Sequence, residues 1–198
     1  MSSKMQVLFV IHTSHVLAAF TRTADPEGKL KVEDLVGTAL PVRGASPVPS
    51  VANKEPLLVP PEMLDVATVE LSADAFITPS AFVVSGTKLD AIGSVSPSSP
   101  DLTFDYITIK TASNVPENTK VWAQIQQAAP PAGEEPLRRV VAGEIPSTTA
   151  EVRLALTSLP GQPPASIPVG DYDAVILVAG QQPLFTRLTA AASPLTPP

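Results

Sequence analysis

Twenty-three prolines stand against ten glycines in this 198-residue chain, and that imbalance limits what it can fold into more than any other feature. Proline fixes φ, lacks a backbone donor, and interrupts helix interiors and central strands alike. Long helices have little room, and many residues are assigned to loops, strand edges and linkers. Hydrophobic residues still make up 44% of the chain. That is enough for a substantial core, in one large β domain or two small ones.

The strongest strand signal lies near the C-terminal end. A turn at Val169-Gly170 launches the apolar run Ala174-Val-Ile-Leu-Val-Ala179, Gly180-Gln-Gln breaks it, and Leu184-Phe-Thr-Arg-Leu188 returns. A β-rich run that is apolar on both faces and bounded by turn residues reads as a strand buried on both sides. Met5-Gln-Val-Leu-Phe-Val-Ile11 is the only comparable run. Two such strands at opposite ends of the chain either meet in one sheet or each centre a separate lobe, and we favour two lobes.

Met5–Ile11, a return run from Val16 to Thr23, the turn Asp25-Pro-Glu-Gly28 and an alternating Lys29–Glu33 together predict an N-terminal β-meander. The segment from Gly44 to Pro61 is rich in proline and small residues and reads as a connecting arm. Its Leu57-Leu58-Val59 is too apolar for a solvated linker and predicts a docked arm. Glu62–Val66 suits a helical turn, and Ala67–Leu71 and Ala81–Ser85 suit strands. Within Asp101–Lys110, Leu102, Phe104 and Tyr106 share one face while Ile107 and Ile109 fall on the other. That phase change predicts a β-bulge or a strand buried on both faces. Thr119–Gln126 reads as a strand rather than a helix. Leu137–Ala142 and Glu151–Leu156 add two more.

From about Glu62 to Leu188 the order of signals resembles an immunoglobulin-like domain of the transcription-factor-immunoglobulin kind. The residues that carry this are Phe76-Ile-Thr-Pro-Ser80, Glu151-Val-Arg-Leu-Ala-Leu156 and Val169-Gly-Asp-Tyr-Asp-Ala-Val-Ile-Leu-Val-Ala-Gly180. The last resembles the glycine-x-tyrosine entry to a final strand found in many such sandwiches. The chain departs from antibody-type domains in lacking paired cysteines. The resemblance implies a scaffold of the sort used in adhesins, enzyme accessory domains and phage-tail-like particles, and it carries over no catalytic residue. The expected fold is therefore all-β: residues 1–61 as the β-meander and proline-rich arm, 62–190 as an antiparallel immunoglobulin-like β-sandwich, and 191–198 as a tail.

Composition excludes several functions. The net charge is −6 and the only adjacent basic pair is Arg138-Arg139, which argues against a nucleic-acid groove. No basic amphipathic helix suits a membrane surface, and no run is long enough to span a bilayer. Without cysteine there are no disulfides, thiolate nucleophiles or cysteine-ligated metals. The N-terminus superficially resembles a signal peptide. However, His12-Thr-Ser-His15 interrupts its apolar run, so the segment reads as structure and the location as cytoplasmic or within a particle assembled there.

The remaining chemistry is sparse. His12 and His15, three apart on a turn, fit a metal or a general base only with further groups, and a polar turn is the simpler account. Asp171, Asp173 and Asp105 hint at calcium, but too few oxygens are closely spaced. No G-x-S-x-G elbow or phosphate loop occurs. Catalytic, metal and cofactor residues are therefore none. The interface candidates are Trp122, placed on a strand face with Lys120, Gln124 and Gln126, and Leu57, Leu58 and Val59 of the arm. The alternative for Trp122 is that it covers the core or packs under the 130–136 loop. The expected function is a non-enzymatic structural or assembly component acting through protein partners or self-association, such as an accessory protein of a phage-tail-like or contractile particle. A carbohydrate- or calcium-binding module is the alternative, and an enzyme comes last.

Overall fold

In the computed structural model, which describes residues 4–21, 30–42, 56–111, 115–146, 151–157 and 162–191, strands dominate and helices are single turns. Strand β1 (Lys4–Val10) turns at 11–14 into β2 (Val16–Phe20) as an antiparallel hairpin. Helix α1 (Val32–Val36) precedes the short pair β3 (Leu40–Val42) and β4 (Leu57–Val59). A 3₁₀ turn at Pro61–Met63 leads into β5 (Leu64–Glu70), which pairs with the free side of β1. The first sheet therefore runs β2-β1-β5. After α2 (Asp74–Ile77) comes the hairpin β6 (Phe82–Ser85) and β7 (Lys88–Ala91), whose two-residue turn uses Gly86 at φ +63°.

The remaining strands are β8 (Ser98–Leu102), β9 (Tyr106–Lys110), β10 (Thr119–Gln127), β11 (Arg138–Ile145), β12 (Glu151–Ala155), β13 (Gly170–Val178) and β14 (Leu184–Ala190). They form two antiparallel sheets, β12-β9-β8 and β11-β10-β13-β14. Ile107, Ile109 and Val152 of the first share a core with Val121, Ala123, Ile125 and Ile176 of the second. Both margins of this sandwich are stitched. Val140 and Thr157 exchange backbone hydrogen bonds at 2.9 and 3.1 Å, and the N–H of Ala191 donates to the carbonyl of Leu102 at 3.3 Å. Stitched margins leave few free edges for unwanted pairing.

A third layer covers the outer face of the four-stranded sheet. Leu8, Val10, Leu64 and Val66 of the β2-β1-β5 sheet cluster there with Trp122, Val140, Val175 and Leu177. The opposite face of the same sheet places Met5, Val7, Val16 and Val69 against Phe82, Val84 and Leu89 of the β6–β7 hairpin. This stacking explains the two apolar runs. Strands β13 and β1 each sit in a layer with packing on both sides, so both their faces are apolar. They lie in adjacent layers rather than in one sheet.

Three expectations are corrected. Lys29–Glu33 does not supply the third strand of a meander: Val32–Val36 is a helical turn, and β5 takes that place from the other side of β1. Alternation over so few residues is weak, whereas Val32 and Val36 at i and i+4 share a helical face against the apolar cluster. Glu33 and Asp34 in the first turn suit the helix dipole, and Gly37 at φ +60° ends the helix. Asp101–Lys110 is not one bulged strand but part of the β8–β9 hairpin. The chain reverses at Thr103, whose Oγ1 accepts the N–H of Tyr106 at 3.2 Å. The reversal turns Leu102, Ile107 and Ile109 toward one core. Finally, because β5 belongs with β1, the N-terminal sheet draws strands from both sides of the division expected at 61/62. The turn expected at Asp25–Gly28 and most of the Gly44–Pro61 arm lie outside the described residues.

Candidate functional site

Strand β10 carries the residues that join the layers. In a strand, successive side chains take opposite faces, so Val121, Ala123 and Ile125 enter the sandwich core while Trp122, Gln124 and Gln126 face the covering layer. Trp122 is 1% exposed. Its indole N–H points to Met63 Sδ at 3.2 Å, and Leu57 and Val59 of β4 belong to the same apolar cluster.

The two glutamines solve the problem of burying the arm. A three-residue β4 leaves carbonyls without a strand partner, and buried carbonyls need donors. Gln124 Nε2 donates to the Leu58 carbonyl at 2.7 Å, and Gln126 Nε2 to the Pro56 carbonyl at 3.3 Å. Arg138 Nε in turn donates to Gln126 Oε1 at 3.2 Å. The interface candidates Trp122, Leu57 and Val59 are thus buried within the chain itself, and Leu58 is half-buried. The seam they form is intramolecular.

Both histidines sit on the β1–β2 turn and reach across to the sandwich. His12 Nε2 lies 2.8 Å from the Gly143 carbonyl on β11, and His15 Nε2 lies 2.8 Å from the Gln181 carbonyl in the β13–β14 turn. A carbonyl only accepts, so Nε2 carries the proton in each ring. Ser14, between them, adopts φ +61°, and its carbonyl accepts the N–H of Val84 on β6 at 2.9 Å. His15 is 0% exposed. Burial lowers its pKa below 6.5, and the backbone of Gln181 and Thr13 only partly opposes this. Neither histidine joins a metal-binding group, and none with three or more such ligands occurs among the described residues.

The three aspartates do not converge. Asp171 accepts the Thr189 hydroxyl at 2.7 Å, Asp173 takes both arms of the Arg187 guanidinium at 3.0 and 3.1 Å, and Asp105 accepts Ser166 Oγ at 2.5 Å. Elsewhere on the surface, Leu17, Val42 and Phe185 help line a mainly apolar groove of about 780 Å³. Large apolar side chains also stand in solvent just after β5 and on α2: Leu71, then Phe76 and Ile77, the last 79% exposed. No helix of the described residues is long and apolar enough to cross a membrane.

Sequence reasoning singled out Trp122 with Gln124 and Gln126 beside it, and both histidines, but missed Met63 and Gln181 as partners of Trp122 and His15 and the bonds from the two glutamines to the arm. A usable signal was present at Gln124 and Gln126. They alternate with Val121, Ala123 and Ile125, so one face of β10 is apolar while the other carries neutral amides beside a tryptophan. No protein-family model, curated protein or solved structure matches this chain.

Proposed function

We propose that this protein is a non-enzymatic structural or assembly component that works through protein–protein contacts on an immunoglobulin-like sandwich. The strand order supports the sandwich reading: three strands, β12-β9-β8, face four, β11-β10-β13-β14. So does Tyr172 at the entry to β13, whose hydroxyl donates to the Pro168 carbonyl at 2.9 Å. That bond resembles the tyrosine corner of such folds.

The observation that carries the contact reading is the apolar segment from Leu71 to Ile77. The chain covers even Trp122, yet leaves Leu71, Phe76 and Ile77 at 48%, 40% and 79% exposure. Scattered single apolar residues are ordinary on a surface, but three within seven positions suit an interaction site. The test is solution mass by sedimentation at rising concentration, with wild type beside an Ile77→Asp, Phe76→Ser double variant. Association that the double variant abolishes without loss of folded signal supports the reading. A strict monomer at high concentration, together with unchanged retention of the double variant in any particle that carries the protein, overturns it. The narrowest form, an accessory protein of a phage-tail-like or contractile particle, is tested by whether the chain stays with such particles through purification.

A further inference from the structure

We infer that the N-terminal layer is an acid-releasable cover: protonating His15 opens the seam between the β1–β2 and β13–β14 turns and bares the Trp122 face, while the seven-stranded sandwich persists. The inference goes beyond the contact reading above and does not depend on it.

Geometry is the first support. His15 is fully buried and bonds Gln181, 166 residues away, so it joins the covering layer directly to the layer it covers. Backbone bonds from Val10 to the His15 carbonyl and from Val84 to the Ser14 carbonyl anchor the same turn to β1 and β6.

The second support is that, among the described residues, the elements holding His15 bring no counter-charge to it. Strand β2, strand β6 and the turn at 179–183 carry no ionisable side chain, and the β1–β2 turn carries only His12 besides His15 itself. Strand β7, paired with β6, carries Lys88 and Asp90, and both are exposed. Strand β1 carries Lys4 at the end away from this turn, and β5 on its other side carries Asp65 and Glu70. The influences on His15 are burial and the backbone of Gln181 and Thr13, so a charge placed there is desolvated and met by backbone dipoles.

The third support is that the seam is poorly satisfied even when neutral. His15 Nδ1, Thr13 Oγ1 and Gln181 Oε1 are buried without a hydrogen-bond partner among the described residues. Unpaired buried polar groups weaken a contact. By contrast, the sandwich margins are held by paired backbone bonds at Val140–Thr157. The cover is thus expected to yield first.

Trp122 is the only tryptophan and lies under the cover, so it reports release directly. On the full chain, tryptophan emission, acrylamide quenching and far-ultraviolet circular dichroism are followed as pH falls from neutral through 6.5. The expected result is a red shift and a several-fold rise in quenching while the β signal is retained. His15→Gln keeps an amide donor for the Gln181 carbonyl but cannot titrate, and should lose the transition, whereas His12→Gln should keep it. Should His15→Gln not fold, wild-type NMR titration of the His15 ring decides: its midpoint must coincide with the Trp122 transition. Three results each overturn the inference. These are Trp122 staying shielded until the β signal itself collapses, His15→Gln retaining the transition, and His15 titrating without any change at Trp122.

Discussion

The indole N–H of Trp122 meets the thioether of Met63 at 3.2 Å across the boundary between two layers of strands. Met63 closes the 3₁₀ turn that feeds β5, and Trp122 is central on β10, so this contact fixes how the covering sheet sits on the sandwich. A flexible thioether suits the place because it fills irregular space and contacts aromatic rings favourably. Trp122→Ala should destabilise the protein by about 3–5 kcal/mol, the usual cost of removing a buried aromatic side chain. Met63→Leu keeps most of the volume but leaves the buried indole N–H without its sulfur acceptor, and should cost about 1–3 kcal/mol. Urea unfolding of the two variants measures both.

The amide of Gln124 does work at this boundary that no apolar side chain could do. Its Nε2 supplies the donor for the buried end of β4, at 2.7 Å from the Leu58 carbonyl. Gln124→Met preserves length and bulk but leaves that carbonyl unpaired, and should cost about 1–3 kcal/mol. Hydrogen exchange localises the effect: amides of β3 and β4 should lose protection while those of β13 keep theirs. A uniform loss across all strands would instead mean that β4 and the sandwich unfold as one unit.

How much of this was legible in the sequence depends on whether local pattern or distant pairing decides each element. The runs Ala174–Ala179 and Met5–Ile11 announced strands buried on both faces, and β13 and β1 are such strands. Glu151–Leu156 alternates and forms β12, and Thr119–Gln126 forms β10. What one strand pairs with is set by residues far away, and here the reading failed. Nothing near Ala67 says that Val7 lies opposite it, so local pattern alone groups β5 with the sandwich. Thr103-Phe104-Asp105 lacks the glycine that signals most tight turns, so the β8–β9 reversal looked like a bulge. Trp122 was recognised as a singular residue, but its cover comes from Met63, 59 positions earlier, and local sequence does not encode that distance.

Tyr172 anchors the entry to β13, and its ring is buried while its hydroxyl reaches the Pro168 carbonyl at 2.9 Å. Burial raises the pKa of this phenol, in keeping with a hydroxyl that must stay neutral to donate. Tyr172→Phe removes one hydrogen bond and leaves the packing intact, so the expected cost is about 0.5–1.5 kcal/mol, read as a lower urea midpoint with unchanged slope.

At Gly143 the two sheets of the sandwich come close at their margin. A Cβ added there would lie 2.6 Å from Leu154 Cδ2, on the facing strand β12. The clashing atom ends a half-buried, rotatable side chain, so Gly143→Ala is expected to be tolerated at about 1 kcal/mol through a shift of Leu154. Gly143→Val places more atoms on the same spot and should cost clearly more. Pairing each change with Leu154→Ala tests the cause: the double variants should recover part of the loss, because the two residues are in contact and their effects do not add.

Stability should depend on pH through His15 in a definite direction. Its folded-state pKa is lowered from 6.5 by burial, so on acidification the unfolded chain takes up the proton before the folded one does. The slope of unfolding free energy against pH follows the excess of protons bound by the unfolded state, so stability rises with pH across that interval. The contribution is fully present above 6.5 and declines as pH falls through 6.5 toward the lowered folded value. Below that value both states are protonated and the slope contributed by His15 vanishes. Urea midpoints measured across this range should therefore fall for the wild type and flatten for His15→Gln. Equal slopes in the two proteins would assign the acid sensitivity to other groups, because His15 is the only ionisable residue that Gln replaces.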